Sequence, residues 1–277
     1  MPFTPITRSL RAVHLSACLA VLSGCASAPQ SRADNTATPK PTVEVLRIPD
    51  GGYQVQAATD ARGVTHIVYL KGEPGSADLF YSRFAGGWAN PLRVGPLGSA
   101  VGAGTIRGPQ LALGRGGRAH VVWFGSEKSG MKTPDGAPLL YSRLAEDGGS
   151  FEAPRNLMRV SKVLDGGPGV AADAQGNVYV AWQAAAAKGE GELARRLWIA
   201  RSSDDGKTFA EEAPALKEPT GACPCCSTEV FADSKGRVYA MYRIAASRAE
   251  RDMALVTSTD QGRTFRSARI DPWPVPT

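Results

Sequence analysis

The sequence contains no long segment in which apolar residues fall at i, i+3, i+4 and i+7, the spacing that builds an amphipathic helix. That absence excludes a helical bundle. It also lacks an arginine-rich helix or an aromatic-basic stripe. Its 32 Lys and Arg against 26 Asp and Glu give a formal charge of +6, but the basic residues are scattered, which reads as a solvated surface with no nucleic acid as partner. The C-x-x-C…C-x-x-C spacing of structural zinc is missing, and neither a metal nor a cofactor is expected. What the 277 residues do hold is 43% hydrophobic side chains, 31 glycines and 20 prolines, with short Val, Tyr and Trp runs between glycine turns. This composition predicts an all-β chain, long enough for one large core or two small ones.

The amino terminus stands apart. Arg8 and Arg11 lead an apolar stretch from Ala12 to Leu22, too short to span a bilayer as a mature helix, and residues 1–24 have the pattern of an export signal. Its end, Leu22-Ser23-Gly24-Cys25, resembles the lipobox of bacterial lipoproteins. The resemblance implies cleavage before Cys25, acylation of that cysteine and stable attachment to a membrane through several acyl chains. Residues 25–43 are polar and proline-rich, have nothing to bury and read as a disordered tether. The expected location is the bacterial cell envelope, and in that family Ala26 after the cysteine is compatible with the outer membrane.

Beyond the tether the sequence repeats itself. QAATDARGVTHIVY, LALGRGGRAHVVW, VAADAQGNVYVAW and VFADSKGRVYAMY each read as strand, glycine-ended turn, strand, with turn glycines at Gly63, Gly117, Gly176 and Gly236. Each is followed by a third strand, LFYSR, LLYSR, LWIAR or MALVTS, then by Trp88, Phe151, Phe209 or Phe265, then by a fourth strand. Four strands per repeat of 54–60 residues is the pattern of propeller blades, here at about 44–95, 104–158, 164–217 and 224–277.

In the last two repeats the third turn reads SSDDGKTF and STDQGRTF. The shared S-x-D-x-G-x-T-F resembles the Asp-box, or BNR repeat, of the sialidase-like propeller superfamily, and the resemblance covers residues 44–277. It implies an all-β propeller, and in that superfamily a ring of six blades. Four are visible here, so the expectations are a truncated chain, a closed ring of four, or association between chains, with truncation favoured because an open ring leaves inner edges unpaired. The boxes, Ser202, Asp204, Gly206, Thr208 and Phe209 and then Ser258, Asp260, Gly262, Thr264 and Phe265, are expected to be structural. The aspartates accept backbone N–H bonds, the glycines take turn conformations, and the phenylalanines plug the gap between blades.

Function is then expected on the opposite face, in the long connections between second and third strands and in the loops that lead into each first strand. Members of the superfamily that are sialidases bind the substrate carboxylate with arginines and use a Tyr/Glu nucleophile pair with an Asp acid/base. Arg47-Ile48-Pro49 resembles their entry motif but sits ahead of the first strand, whereas Arg107 opens the innermost strand of blade two. The resemblance implies Arg107 and Arg243 as carboxylate ligands, with Glu229 supporting a nucleophile and Asp165 at the channel end of blade three. No tyrosine can be assigned as nucleophile. The readings are a lipid-anchored protein that binds or cleaves glycans, and a non-catalytic binding or assembly propeller.

Cys223-Pro224-Cys225-Cys226 is the least ordinary stretch. In an oxidising compartment a structural disulfide is expected, Cys223 with Cys226 being the easier pair. The alternative is a copper(I) or thiol-redox role, against which stands the tendency of adjacent cysteines on an extended chain to point opposite ways. His66 and His120 fall at equivalent positions of their repeats, where the later repeats have tyrosine, and are read as packing residues.

Overall fold

Each of the four repeats folds as one antiparallel four-stranded sheet in which neighbours in sequence are neighbours in space. The computed structural model describes residues 43–271 apart from Ala103, Thr105, Lys132, Pro134 and Arg248. The export signal, Cys25 and the tether before residue 43 lie outside the described residues. Blade one is β1 (Tyr53–Thr59), β2 (Thr65–Lys71), β3 (Asp78–Phe84) and β4 (Leu92–Arg93); blade two is β5 (Gln110–Leu113), β6 (Ala119–Phe124), β7 (Leu139–Arg143) and β8 (Arg155–Asn156). Blade three is β9 (Lys162–Ala172), β10 (Val178–Ala185), β11 (Arg196–Ser202) and β12 (Ala213–Pro214). Blade four is β13 (Glu229–Ala232), β14 (Val238–Arg243), β15 (Met253–Ser258) and β16 (Arg266–Asp271).

The short Val-, Tyr- and Trp-rich runs form these strands because their branched and aromatic side chains pack well on a pleated surface. The turns between first and second strands are fixed locally. In blades one, three and four, Asp60, Asp173 and Asp233 each accept the backbone N–H groups two and four residues on. This side-chain turn leaves the following glycine to close the bend at positive φ.

The core is divided among the gaps between successive blades. Trp123, Tyr81 and Leu70 fill the gap between blades one and two; Trp182, Tyr141 and Phe209 that between two and three; Tyr242, Ile199 and Val256 that between three and four. Strand packing accordingly links blade one to two, two to three and three to four. Strands β6 and β10 are buried at every position because a blade covers each of their faces. The fold is an all-β propeller of four-stranded blades.

Candidate functional site

The two ends of the blades differ in chemistry. At one end lie the Asp-box turns, and their hydrogen bonds are those their sequence implies. In blade three the Ser202 hydroxyl donates to Asp204 (2.7 Å) and accepts from Gly206 N–H (2.9 Å), while Asp204 accepts from Thr208 N–H (2.9 Å) and its hydroxyl (2.6 Å). Blade four repeats the set with Ser258, Asp260, Gly262 and Thr264. Partial burial works against ionising Asp204, but the donors around it hold its carboxyl at about 2. Hydrogen bonds from Ser258 and Thr264 hold Asp260 well below the usual carboxylate range. Both oxygens of each aspartate are engaged inside its own turn, which is a structural use of the carboxylate.

The boxes also grip the preceding blade. Asp205 lies 2.6 Å from Arg118 and 3.7 Å from Arg143, and its carbonyl accepts from Arg143 (2.7 Å). Phe209 meets the Tyr141 ring edge-on at 4.7 Å. A side chain at Gly206 would strike the Tyr141 hydroxyl, so glycine is required there by close approach as well as by its positive φ. His120 and His66 are buried, each bonded through Nδ1 to a tyrosine hydroxyl (2.7 and 2.6 Å), and burial pushes both toward the neutral form. Both are packing residues.

At the opposite end, the loops leading into β5 and β13 meet the start of β9. Asp165 is held between two guanidinium groups, Arg107 at 2.9 Å and Arg195 at 2.8 Å. Arg107 also lies over the Phe124 ring, 5.4 Å from its centre. The Nε atoms of Arg107 and Arg195 are buried without an acceptor among the described residues. Gly166 and Gly167 let three loops close on this point, since a side chain at Gly167 would overlap the carbonyl of Ile106. The sequence predicts Arg107 and Asp165 separately, and the structure brings them into contact. Arg195 went unnoticed because one arginine in a loop of AAAAKGEGELARR carries no signal of its own until the fold places it.

Beside this point the stretch Cys223–Cys226 forms a turn closed by Cys226 N–H to the Cys223 carbonyl (3.2 Å), with Pro224 in the second position, where its fixed φ suits a turn. The expectation that these cysteines diverge along an extended chain does not hold, because the turn gathers all three sulfurs. Sγ distances are 3.0 Å from Cys223 to Cys225, 3.6 Å from Cys223 to Cys226 and 4.0 Å from Cys225 to Cys226. No disulfide joins the three sulfurs in this structure. Arg243 faces Cys226 and Arg251 faces Cys223. Arg251 is itself fixed by both oxygens of Glu192, at 3.0 and 2.5 Å.

The remaining candidates stand elsewhere. Val230 packs on Gly169 of blade three, so strand alternation turns Glu229 to the other face of blade four, beside its cross-strand neighbour Met241. Glu229 forms no ion pair among the described residues, and desolvation raises its pKa. Arg243 donates through Nε to the Arg251 carbonyl (2.8 Å) and belongs with the cysteines. Arg47 is exposed ahead of β1. A cleft of about 810 Å³ also opens at this end between the second-to-third-strand loops of blades one and two, lined by Ser76, Ser126, Lys128 and Met131 among others.

No family model and no curated protein matches the chain. Solved structures with similar folds include a protein of unknown function from Dyadobacter fermentans, with a TM-score of 0.56 and 16% identity over 81% of this chain and 70% of that one. A Hadza microbial sialidase gives a TM-score of 0.51 and 17% identity over 79% of this chain. An α-L-arabinanase from Penicillium chrysogenum gives 0.50 and 14% over 78%. The chain spans 46% of that sialidase and 65% of the arabinanase. At these identities the likeness concerns the fold alone, a β-propeller of four-stranded blades.

Proposed function

We propose that this chain is a glycan-binding propeller, exported and held to the bacterial envelope by a lipid at Cys25, whose ligand contacts the loop end of blades two and three. The observation that carries the reading is the Arg107–Asp165–Arg195 group: a partly accessible carboxylate between two guanidinium groups whose Nε atoms lack acceptors. Planar charged donors and acceptors of this kind suit sugar hydroxyls, and the cleft between the loops of blades one and two is of a size that takes a small ligand. Both the sialidase and the arabinanase among the similar folds are named for carbohydrates, which supports the same class of ligand.

Binding is favoured over hydrolysis because Asp165 already occupies the Arg107 guanidinium that a substrate carboxylate would need, and Glu229 faces away from blade three. Screening the purified chain against immobilised glycans, together with an assay for release of sialic acid, tests the reading. Binding without release, lost in Asp165→Asn and Arg107→Ala, is the expected result. Release that disappears in Arg107→Ala would replace it with the hydrolase reading, and absence of any glycan signal would overturn both.

A further inference from the structure

The glycan reading leaves the most chemically distinctive group of the chain unused. We propose that Cys223, Cys225 and Cys226 form a three-thiolate site for one copper(I) ion. The three sulfurs lie at the corners of a triangle with sides of 3.0, 3.6 and 4.0 Å. A point equidistant from them is about 2.1 Å from each, close to the roughly 2.3 Å of a metal–thiolate bond, so a metal is accommodated by opening the triangle a few tenths of an ångström.

The triangle is held by the fold rather than by chance rotamers. Cys223 N–H donates to the Arg243 carbonyl at the end of β14 (3.0 Å), the Cys226 carbonyl accepts from Gly167 N–H of β9 (3.2 Å), and Thr228 N–H closes on the Gly167 carbonyl (2.9 Å). The turn is thus pinned to two blades. Gly221 lets the chain enter it, since a side chain there would overlap the Ala245 carbonyl. Cys223 is buried, Cys226 is half-buried and Cys225 is exposed, which gives an ion a path in from solvent and a closed floor beneath it.

Ligand type and number select the ion. Thiolates favour soft cations, and copper(I) accepts three of them in a plane, whereas structural zinc takes four ligands. Among the described residues no fourth donor stands ready: the two histidines are bonded to tyrosines in blades one and two, and Glu192 is engaged by both guanidinium nitrogens of Arg251. Copper(I) with three thiolates carries two negative charges, and Arg243 and Arg251 are the two cations that face the sulfurs. Binding forms three Cu–S bonds, releases the thiol protons to solvent and transfers no electrons.

The test uses the full chain, purified in detergent, reduced, and titrated anaerobically with copper(I) against a chromophoric copper(I) chelator. One copper per chain is expected, with X-ray absorption reporting three sulfur neighbours. Cys225→Ser, at an exposed position, should keep the circular dichroism of the parent, reduce the sulfur count to two and weaken binding at least about tenfold, and Arg251→Gln should weaken it by about tenfold as an outer partner. The proposal is overturned by a reduced parent chain that binds no copper or shows only two sulfurs. It is equally overturned by undiminished affinity in Cys225→Ser, or by zinc(II) displacing copper(I) at equal concentration.

Discussion

Strands β10 and β14 are the same strand of successive blades, VYVAWQAA and VYAMYR, yet β10 is buried at all eight positions and β14 only at alternate ones. Blade three lies between two neighbours. Blade four is covered by blade three on one face, and on the other it presents Phe231 at 62% exposure and Met241 at 37%. The sheets themselves are equally regular, paired residue for residue through their central strands. Hydrogen bonding therefore orders a blade from within, whereas burial is supplied by whatever packs on its faces. The comparison locates most of the stabilising apolar contact at the interfaces.

The largest expected effect follows directly. Trp182→Ala, which empties the gap between blades two and three and removes the indole N–H bond to Ser161, should cost about 3–5 kcal/mol in urea denaturation. Met241→Ala on the open face should cost less than about 1 kcal/mol. Equal losses would mean that the outer face of blade four is covered in solution, and the contrast would fail.

The turns offer a second contrast. Asp205 is buried against Arg118 and Arg143, so Asp205→Asn leaves buried guanidinium charge and should cost about 3 kcal/mol. Gln261 holds the same place in the blade-four box and meets Arg201 through its carbonyl rather than through a side-chain ion pair, and Gln261→Asn should stay within about 0.5 kcal/mol. A smaller loss follows for Asp204→Ala, about 1–2 kcal/mol, from the donors it would orphan.

The same carboxyl predicts an acid limb. Its folded pKa of about 2 lies below the unfolded value of about 3.9, so its contribution is complete above about pH 4 and is lost as the pH falls toward 2. Asp204→Asn should flatten that part of a pH titration of stability, and an unchanged slope would assign the acid limb to other groups. The smallest effect is expected for Phe231→Ser, within about 0.5 kcal/mol in the isolated chain. A larger loss would again place a partner on that face.

Much of the architecture was legible in the sequence because the period that builds it is written four times. Gly63, Gly117, Gly176 and Gly236 mark the inner turns, and S-x-D-x-G-x-T-F marks two outer ones, so strands, blades and the structural role of the boxes follow from local chemistry. The candidate site was legible only in pieces. Arg107 and Asp165 were recognised from their place at strand entrances, but their contact joins residues 58 positions apart. Arg195 and Glu192 lie in a loop with no periodic signal, and Glu229 is turned away by a strand alternation whose phase only the packing of Val230 fixes. The cysteines were misjudged for a local reason: Pro224 makes their segment a turn rather than an extended strand.

The grip of each box on the preceding blade has a direction in time as well as in space. Arg143 meets its partner Asp205 62 residues later in the chain. A chain that emerges amino terminus first, from a ribosome or across a membrane, therefore offers blade two before the residues that finish it. Its His120 and Tyr141 stay uncapped until the next blade's outer turn arrives, and the lock is closed by the element that follows.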